Sequence, residues 1–488
     1  MKKIVVIGAG VSGLTAAIYA QRSGFDVTLC EQNSFAGGMC TSWKRKGYLF
    51  EGSLHCTGSN PKTELYGIWK DTGALSENVK INLPDIFHAV EWETQILNIF
   101  QDIAKTVEHL IAVSPDDEKQ LRRLERDVKA FAHLQMPIFD IKGVKIQHPK
   151  RMTISGLLKM LPMLPQLGRL FNVSCKKYLE KFTHRGIRKL FRIIPDDYSS
   201  ISLIATLSTW NTGDGGFPES GAMAMINRMV KTFEDLGGKL LLKTKVKKVN
   251  IENGTVIGID LANETLAADS VIVTQETIAA IDQLFDTPLD DEWLTVLRNK
   301  TEPVVCTFIG VGIRAEISKL PIPTWDLEEP IMYAGKTINE IGFHNYSGLE
   351  GYAPQGCTTF TTTFTGDTYP FWKKAKEEGR YEDEKRKLAD QISRVICSKY
   401  PQAEGCIEVI DIATPLTYER YTGAYHGSWM SITGLGKKMR TYPGFSKKIS
   451  GLYFAGHRLM TPGGLPVALY SGRKAAQMIC RQYNVMFR

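Results

Sequence analysis

The stretch KIVVIGAGVSGLTAAIYAQRSGFDVTLCE, residues 3–31, decides the fold of the chain. It reads as a β-branched strand, a Gly8-x-Gly10-x-x-Gly13 loop, a helix and a second strand. In this order the first glycine makes a tight turn, the second lets the backbone approach a pyrophosphate, and the third lets the helix pack on the strand. Glu31 is placed to accept hydrogen bonds from ribose hydroxyls and disfavours a 2′-phosphate. The stretch therefore predicts a dinucleotide site that does not favour NADP.

A second glycine pair, Gly37-Gly38, follows soon after the first motif. NAD-dependent dehydrogenases usually need one glycine loop per dinucleotide, whereas FAD, buried along its whole length, needs further close approaches of the backbone. The stretch GGMCTSWKRKGYLFEGSLHCTG, residues 37–58, resembles the second glycine motif of the phytoene desaturase, carotenoid isomerase and retinol saturase branch of the amine oxidase superfamily. This resemblance implies FAD as the cofactor.

The same stretch departs from the superfamily at one position. Many members have an arginine after the glycine pair, where this chain has Met39. The phosphate charge that such an arginine neutralises must then meet another cation. Lys44 and Arg45 are the candidates that the sequence offers.

The middle of the chain resembles the same branch. Residues 215–249, GGFPESGAMAMINRMVKTFEDLGGKLLLKTKVKKV, are similar to the family's central segment, in which a glycine-rich loop opens a helix and a strand returns to the cofactor. The resemblance places the backbone near Val246 against the adenine. The continuation to residue 274 predicts a hairpin with Asn253-Gly254 at its turn, followed by a strand into the core.

The C-terminal region carries a further similarity. Residues 413–432 and 451–479 resemble the family's last pair of motifs, and the second of these reads as a strand, a glycine loop and a helix. The resemblance puts Gly456, Gly463 and Gly464 beside the flavin, where a helix N-terminus stabilises the anionic reduced ring. The alternative is that Gly463 and Gly464 merely form a turn.

Two of the nine histidines are candidates for chemistry. The resemblance puts the sequence EGSLH, and with it His55, beside the flavin, and His457 follows Gly456 in the C-terminal loop. Since a histidine tuned near neutrality transfers protons, His55 is predicted to be catalytic as an acid or positioning group. The alternative for either histidine is a structural hydrogen bond.

Other chemistries find little support in the sequence. The chain lacks a His-Glu-x-x-His, a Gly-x-Ser-x-Gly and a P-loop motif, and FIGVGIRAEI (residues 308–317) lacks the third glycine of a separate NAD(P)H domain. The nine cysteines form no Cys-x-x-Cys pair, so we expect no metal site and reduced thiols in a cytoplasmic protein. Without an apolar run of about 18 residues, a membrane-spanning helix is not expected.

The net charge of +8 is concentrated in one segment. Residues 142–192 hold 13 lysines and arginines and one acid, Glu180, and include the apolar run ISGLLKMLPMLPQLGRLF. Such a segment fits a lipid interface and suggests a peripheral, membrane-associated protein. The alternative is a basic helical cap that buries its leucines on its own domain. Nucleic acid is a less suitable partner, because few of the apolar residues are aromatic.

The resemblance implies an α/β fold in which a Rossmann-type FAD-binding domain is interleaved with a mixed-sheet α+β substrate domain. The FAD-binding segments are expected at residues 1–70, 215–285 and 440–488, and the substrate segments at residues 71–214 and 286–439. The two domains would thus share the chain in alternation.

The resemblance implies an FAD-dependent oxidoreductase that desaturates, saturates or isomerises carbon–carbon bonds of an apolar polyene or isoprenoid. Two other readings stay open. One is a flavin amine oxidase, and the other is a non-catalytic lipid or prenyl carrier, because the Rab GDP-dissociation inhibitors share this fold. The intact residues Gly8, Gly10, Gly13 and Glu31 favour the enzyme. The substrate, the direction of electron flow and the oligomeric state are not determined by the sequence.

Overall fold

The computed structural model describes residues 1–52, 58–133, 136, 138–148, 158, 161–318, 321–432, 440–461 and 463–488. The strands in these ranges are β1 (Lys3–Ile7), β2 (Asp26–Cys30), β3 (Ser42–Arg45), β4 (Tyr48–Glu51), β5 (Ile81–Asn82), β6 (Ile86–Trp92), β7 (Gln95–Phe100), β8 (Phe217–Pro218), β9 (Lys239–Leu241), β10 (Lys248–Glu252), β11 (Thr255–Asp260), β12 (Thr265–Ala267), β13 (Ser270–Val273), β14 (Glu302–Val304), β15 (Cys306–Ile313), β16 (Trp325–Tyr333), β17 (Lys336–Ile341), β18 (His344–Asn345), β19 (Thr358–Thr365), β20 (Ile407–Ala413), β21 (Met430–Ile432) and β22 (Leu452–Phe454). The helices are α1 (Val11–Arg22), α2 (Glu64–Asp71), α3 (Ile103–Val113), α4 (Glu118–Ala130), α5 (Leu164–Leu170), α6 (Cys175–Leu179), α7 (Arg185–Leu190), α8 (Ser200–Asn211), α9 (Gly221–Asp235), α10 (Thr277–Gln283), α11 (Glu292–Lys300), α12 (Tyr369–Glu377), α13 (Tyr381–Lys399), α14 (Pro415–Thr422) and α15 (Leu465–Gln482).

The predicted strand–helix–strand unit lies in a five-stranded parallel sheet with the order β22-β13-β1-β2-β9. One face of this sheet packs against α1, α9 and α15 in a common apolar core. Helices α1 and α15 approach closely, because a Cβ on Gly472 would overlap the carbonyl oxygen of Ser12. The strands come from three separate parts of the chain, so the chain leaves the sheet and returns to it twice.

The other face of the parallel sheet packs against the three-stranded antiparallel sheet β10-β11-β12 and helices α10 and α11. The predicted hairpin is confirmed, since β10 and β11 pair antiparallel on either side of Asn253 and Gly254. Both turn residues have positive φ angles, 47° and 71°, as a tight hairpin turn requires. Because both faces are covered, the strands of the parallel sheet are rich in buried β-branched residues.

A second sheet, β18-β19-β15-β20, pairs antiparallel throughout, so the sheet in this region is antiparallel rather than mixed. Gly310 and Gly312 lie in the middle of β15 and not in a phosphate-binding loop. Added Cβ atoms would come within 2.6 Å of the Phe50 ring and 2.5 Å of the Tyr48 ring. These glycines therefore let β4 pack directly on the sheet.

Helices α3 to α8 share a separate apolar core with β6 and β7. Residues 161–192 of the basic segment lie here, with the short helices α5, α6 and α7, whereas residues 142–148 pack on the first core beside Phe487. Within the described residues, no helix is long and apolar enough to cross a membrane. The predicted fold class is confirmed, because a parallel Rossmann-type unit and a region of antiparallel strands and helices alternate along the chain.

Candidate functional site

A cavity of about 800 Å³ lies at the carboxyl ends of the parallel strands, where open α/β sheets bind their ligands. It is bordered by the residues that directly follow β1, β2, β13 and β22. Of the predicted site residues, those that line it are Gly8, Gly10, Glu31, Gly37, Gly38, Val246, Gly456 and Gly464. The fold thus collects residues from three distant parts of the sequence around one space.

The first glycine loop turns from β1 into α1 at the wall of the cavity. Gly8 has a φ of +98°, and its amide donates to the carbonyl of Cys30 at 2.8 Å. Gly13 lies one turn into the helix, where a Cβ would overlap the carbonyl oxygen of Gly8. The close packing leaves the N-terminus of α1, including Val11 and Ser12, facing the cavity. Its free backbone N–H groups suit a phosphate.

Glu31 is 5% exposed and lies at the end of β2. One carboxylate oxygen accepts from the amide of Ala9 at 2.9 Å, and the other accepts from the backbone amide and the side chain of Asn33 at 2.9 and 2.8 Å. The carboxylate is therefore fixed in place, and it retains acceptor capacity toward the cavity. The carbonyl of Glu31 accepts from Thr244, which brings Val246 to the same end of the cavity.

The second glycine pair interlocks with the first loop. The amide of Gly37 donates to the carbonyl of Ala9 at 2.8 Å, and a Cβ on Gly38 would lie 3.3 Å from the Cα of Gly10. Both residues have positive φ angles, +131° and +59°. A side chain at Gly38 would press on the first loop, and a Cβ on Gly37 would lie 2.7 Å from the carbonyl oxygen of Cys40, so both positions of this cavity wall favour glycine.

Lys44 and Arg45, the cations expected to replace the arginine that many family members have after this glycine pair, lie away from the cavity. Lys44 and Arg45 belong to β3 and do not line the cavity, whereas Met39 does. Arg45 is 3.0 Å from the carboxylate of Asp411, so its charge is already paired. The expectation that Lys44 or Arg45 replaces the missing arginine is wrong, because the β3–β4 hairpin carries both toward the antiparallel sheet.

The C-terminal loop contributes Gly456, His457 and Gly464 to the cavity. Among the described residues, no atom would lie within 4 Å of a Cβ on Gly456. Gly463 does not line the cavity. It packs on His457 instead, because a Cβ added to Gly463 would lie 2.9 Å from the carbonyl oxygen of His457. Burial, with a smaller contribution from Arg458, lowers the pKa of His457 to about 3. His457 is therefore neutral at physiological pH and suits hydrogen bonding.

His55 lies outside the described residues, so its catalytic role stays a prediction. The chain that follows it is fixed to Asp214. Asn60 donates its amide to the Asp214 carboxylate at 2.9 Å, and the hydroxyl of Ser59 donates to the carbonyl of Gly215 at 2.7 Å. Asp214 lines the cavity, and burial raises its pKa to about 6. The sequence reasoning missed this carboxyl, whose signal was its place directly before the Gly215-Gly216 pair.

Glu51 is a second residue that the sequence reasoning missed. It is 3% exposed, and its carboxylate accepts from the amide of Ala222 at 2.9 Å in the first turn of α9. The hydroxyl of Ser42 accepts from the next amide, that of Met223. The β3–β4 hairpin thus caps α9 from outside the helix, which a local helix signal does not reveal. This contact holds the second glycine loop beside α9.

These residues fit FAD. The glycine loops allow close backbone approach, Glu31 suits a ribose, and the N-termini of α1 and α15 both face the cavity and suit phosphate oxygens or a reduced flavin. The space beside Gly456, which lines the cavity, leaves room for a ligand. Leu65, Met136 and Leu465 add apolar walls that suit the flavin or an apolar substrate.

Known proteins match this chain along nearly its whole length. A family model described as flavin containing amine oxidoreductase matches residues 11–480. A 1-hydroxycarotenoid 3,4-desaturase from Flavobacterium sp. (strain P99-3) is 23% identical, with 98% of this chain and 99% of the relative covered. A lycopene-forming phytoene desaturase from Pseudescherichia vulneris is 24% identical, with the same coverage. A triple mutant of putrescine oxidase has the same fold, with a TM-score of 0.62, 15% identity and coverage of 98% and 99%.

Proposed function

The chain belongs to the flavin-containing amine oxidoreductase family and is an FAD-dependent oxidoreductase, and we propose that it acts on carbon–carbon bonds of an apolar polyene or isoprenoid. The observation that carries the proposal is the similarity, over 98% of this chain, to two desaturases whose names specify carotenoid substrates. Leu65, Met136 and Leu465, which line the same cavity as Asp214, support an apolar substrate. A hydrocarbon chain offers few polar groups for recognition and needs apolar contacts.

Each part of the cavity has a role toward the cofactor. The N-terminus of α1 would bind the diphosphate, Glu31 the ribose, and the N-terminus of α15 the flavin. Bound FAD supplies hydride transfer. The protein must then exclude water and hold a group that exchanges a proton with the carbon next to the one that exchanges the hydride.

Asp214 is a described group that suits this proton exchange. In desaturation the Asp214 carboxylate would take the proton from the carbon beside the one that gives up its hydride, and the electron pair of that C–H bond would form the double bond. In saturation the protonated carboxyl returns a proton as the hydride arrives. A carboxyl with a pKa of about 6 populates both forms near neutral pH. His55 is the other candidate, because it lies five residues before Asn60, whose amide donates to Asp214. Burial keeps His457 neutral.

The test is conversion of a C40 polyene and of a retinoid by the FAD-loaded protein under anaerobic conditions, with the flavin oxidised in one set and pre-reduced in the other. Liquid chromatography with mass spectrometry separates the three reactions, because desaturation removes two hydrogens, saturation adds two, and isomerisation changes the retention time at unchanged mass. Asp214→Asn and His55→Ala are expected to keep FAD while lowering turnover by about 10²-fold for whichever group transfers the proton. A benzylamine arm tests the amine oxidase reading.

Failure of the wild type to convert either polyene in both flavin states would contradict the proposal. Reduction of the flavin by benzylamine instead would favour an amine oxidase. Co-purification of a lipid without conversion would favour the carrier.

We also propose that the basic segment binds an anionic membrane from which an apolar substrate is taken. Leu161, Leu164 and Phe171 are 52%, 54% and 59% exposed, and Lys176 and Lys177 are exposed on α6. Each cation near an anionic surface contributes about 1 kcal/mol, and salt screens it. Vesicle flotation should therefore weaken with salt and in a Lys176→Glu, Lys177→Glu variant. Equal flotation on neutral and anionic vesicles would contradict the electrostatic part.

A further inference from the structure

Three of the described residues that line the cavity are cations, and one of them differs sharply from the others. Lys245 and Lys247 are exposed near Glu31, whereas Arg458 is 2% exposed. Arg458 follows Gly456 and His457 in the loop between β22 and α15. A guanidinium so deeply buried is costly unless partners satisfy all of its N–H groups.

The structure holds this guanidinium from one side. Its Nε lies 3.1 Å from a carboxylate oxygen of Glu276, and its Nη2 donates to the hydroxyl and the carbonyl of Ser428. Glu276 is itself fixed, because it accepts from the amides of Ile278, Ala279 and Tyr425 at 3.2, 3.0 and 3.2 Å. The side chain of Arg458 therefore has one fixed position.

Two nitrogens of this guanidinium, Nε and Nη1, are buried without a hydrogen bond among the described residues, and a Glu276 oxygen lies within ion-pair distance of Nε. A guanidinium that is clamped on one edge and unsatisfied on another, at the wall of a cavity, is arranged to meet an acceptor that enters the cavity. No acceptor among the described residues meets Nη1, so a ligand in the cavity is a candidate to supply one.

The chemistry of the ligand follows from the cavity. Its glycine loops and the N-terminus of α1 are suited to a diphosphate, and the second glycine loop presents Met39 rather than a cation. We propose that Arg458 binds the diphosphate of FAD and supplies the buried positive charge that the second glycine loop lacks. The proposal rests on FAD occupying the cavity and is independent of the substrate.

The test is titration of the apo-protein with FAD and with ADP, which carries the diphosphate but no flavin. Arg458→Met combined with Glu276→Gln removes both charges of the buried pair, so that no carboxylate is left unpaired. Arg458→Lys keeps a charge but loses the fork. We expect the double variant to raise the dissociation constants of FAD and ADP at least tenfold each, with the lysine variant between it and the wild type.

Arg473 offers the matched control. It is also 2% exposed, and it pairs with Asp140 at 2.6 Å without lining the cavity. Arg473→Lys should lower the unfolding temperature while leaving both dissociation constants unchanged in the folded protein. Unchanged FAD and ADP affinities in the Arg458 variants would overturn the proposal, as would weaker FAD binding with unchanged ADP binding. A wild type that does not bind FAD would instead contradict the cofactor assignment.

Discussion

Two of the Gly-x-Gly stretches in the chain, at Gly8 and at Gly310, lead to opposite structures. Gly8 and Gly10 turn from a parallel strand into a helix and border the cavity, whereas Gly310 and Gly312 lie inside an antiparallel strand and receive the rings of Phe50 and Tyr48. The spacing of the glycines is the same, but a helix follows only the first pair. Glycine can serve backbone approach to a ligand or close packing of a side chain, and the element that follows decides which.

The largest expected effect lies at the point where the first stretch meets its helix. Gly13→Ala places a Cβ on the carbonyl oxygen of Gly8, and backbone cannot move aside as a side chain does. We expect a loss of about 3 kcal/mol or more in the free energy of unfolding, measured by chemical denaturation. Gly24→Ala is the control, since its Cβ meets no atom within 4 Å and only its φ of +93° opposes the change, by about 1 kcal/mol. Equal losses would contradict the packing role of Gly13.

A substitution in the second stretch, at Gly310, should lower the free energy of unfolding without changing the amount of bound FAD. Gly310→Ala brings a Cβ within 2.6 Å of the Phe50 ring, an overpacking that costs about 1–3 kcal/mol. The FAD bound per folded molecule, read from visible absorbance, should equal that of the wild type. Adding Phe50→Leu should restore part of the stability. Loss of FAD at unchanged stability would place Gly310 in the cofactor site and break the comparison.

The region of the cavity should respond to pH. The cavity beside the first stretch contains Asp214, whose pKa rises from 3.8 to about 6 through burial. The Asp214 carboxylate accepts from the amide of Asn60, and the titratable residue that precedes Asn60 by five positions is His55. Because the folded state holds the Asp214 proton more tightly than the unfolded state, this carboxyl contributes less stability as pH rises from about 4 through about 6.

Asp214→Asn removes that dependence while its amide oxygen still accepts from Asn60. We would measure the free energy of unfolding of both proteins in urea at pH 4.5 and pH 7.5. From the lower to the higher pH, the stability of the variant relative to the wild type should increase. The gain should be on the order of 1 kcal/mol, because Asp214 is partly exposed and solvent reduces the effect. A gain confined to the lower pH would contradict the raised pKa.

Much of the fold could be predicted because its signals are local. The strand–loop–helix–strand order in residues 3–31 and the Asn253-Gly254 turn depend on near neighbours in sequence, and both are confirmed. The resemblance correctly identified the family, the FAD cofactor and the oxidoreductase class. The domain boundaries and the role of His55 stay predictions.

The missed residues act across long sequence separations. Glu51 caps a helix 171 positions away, and Asp214 receives an amide 154 positions away. Arg458 depends on Glu276 and Ser428, which neither spacing nor composition connects to it. The assignment of phosphate charge to Lys44 and Arg45 failed for the same reason, because proximity in sequence to the glycine pair does not fix the direction of a hairpin.

The measurement that tests the central claim most directly is the FAD dissociation constant of Gly10→Ala. Gly10 has a φ of −74°, which alanine adopts freely, and an added Cβ would lie 3.8 Å from the nearest protein atom, in ordinary contact. The fold should therefore keep its unfolding temperature as apo-protein while the Cβ narrows the cavity between the two glycine loops. We expect the dissociation constant to rise at least tenfold, about 1.4 kcal/mol. An unchanged dissociation constant at unchanged stability would contradict the claim that the first Gly-x-Gly builds the cofactor site.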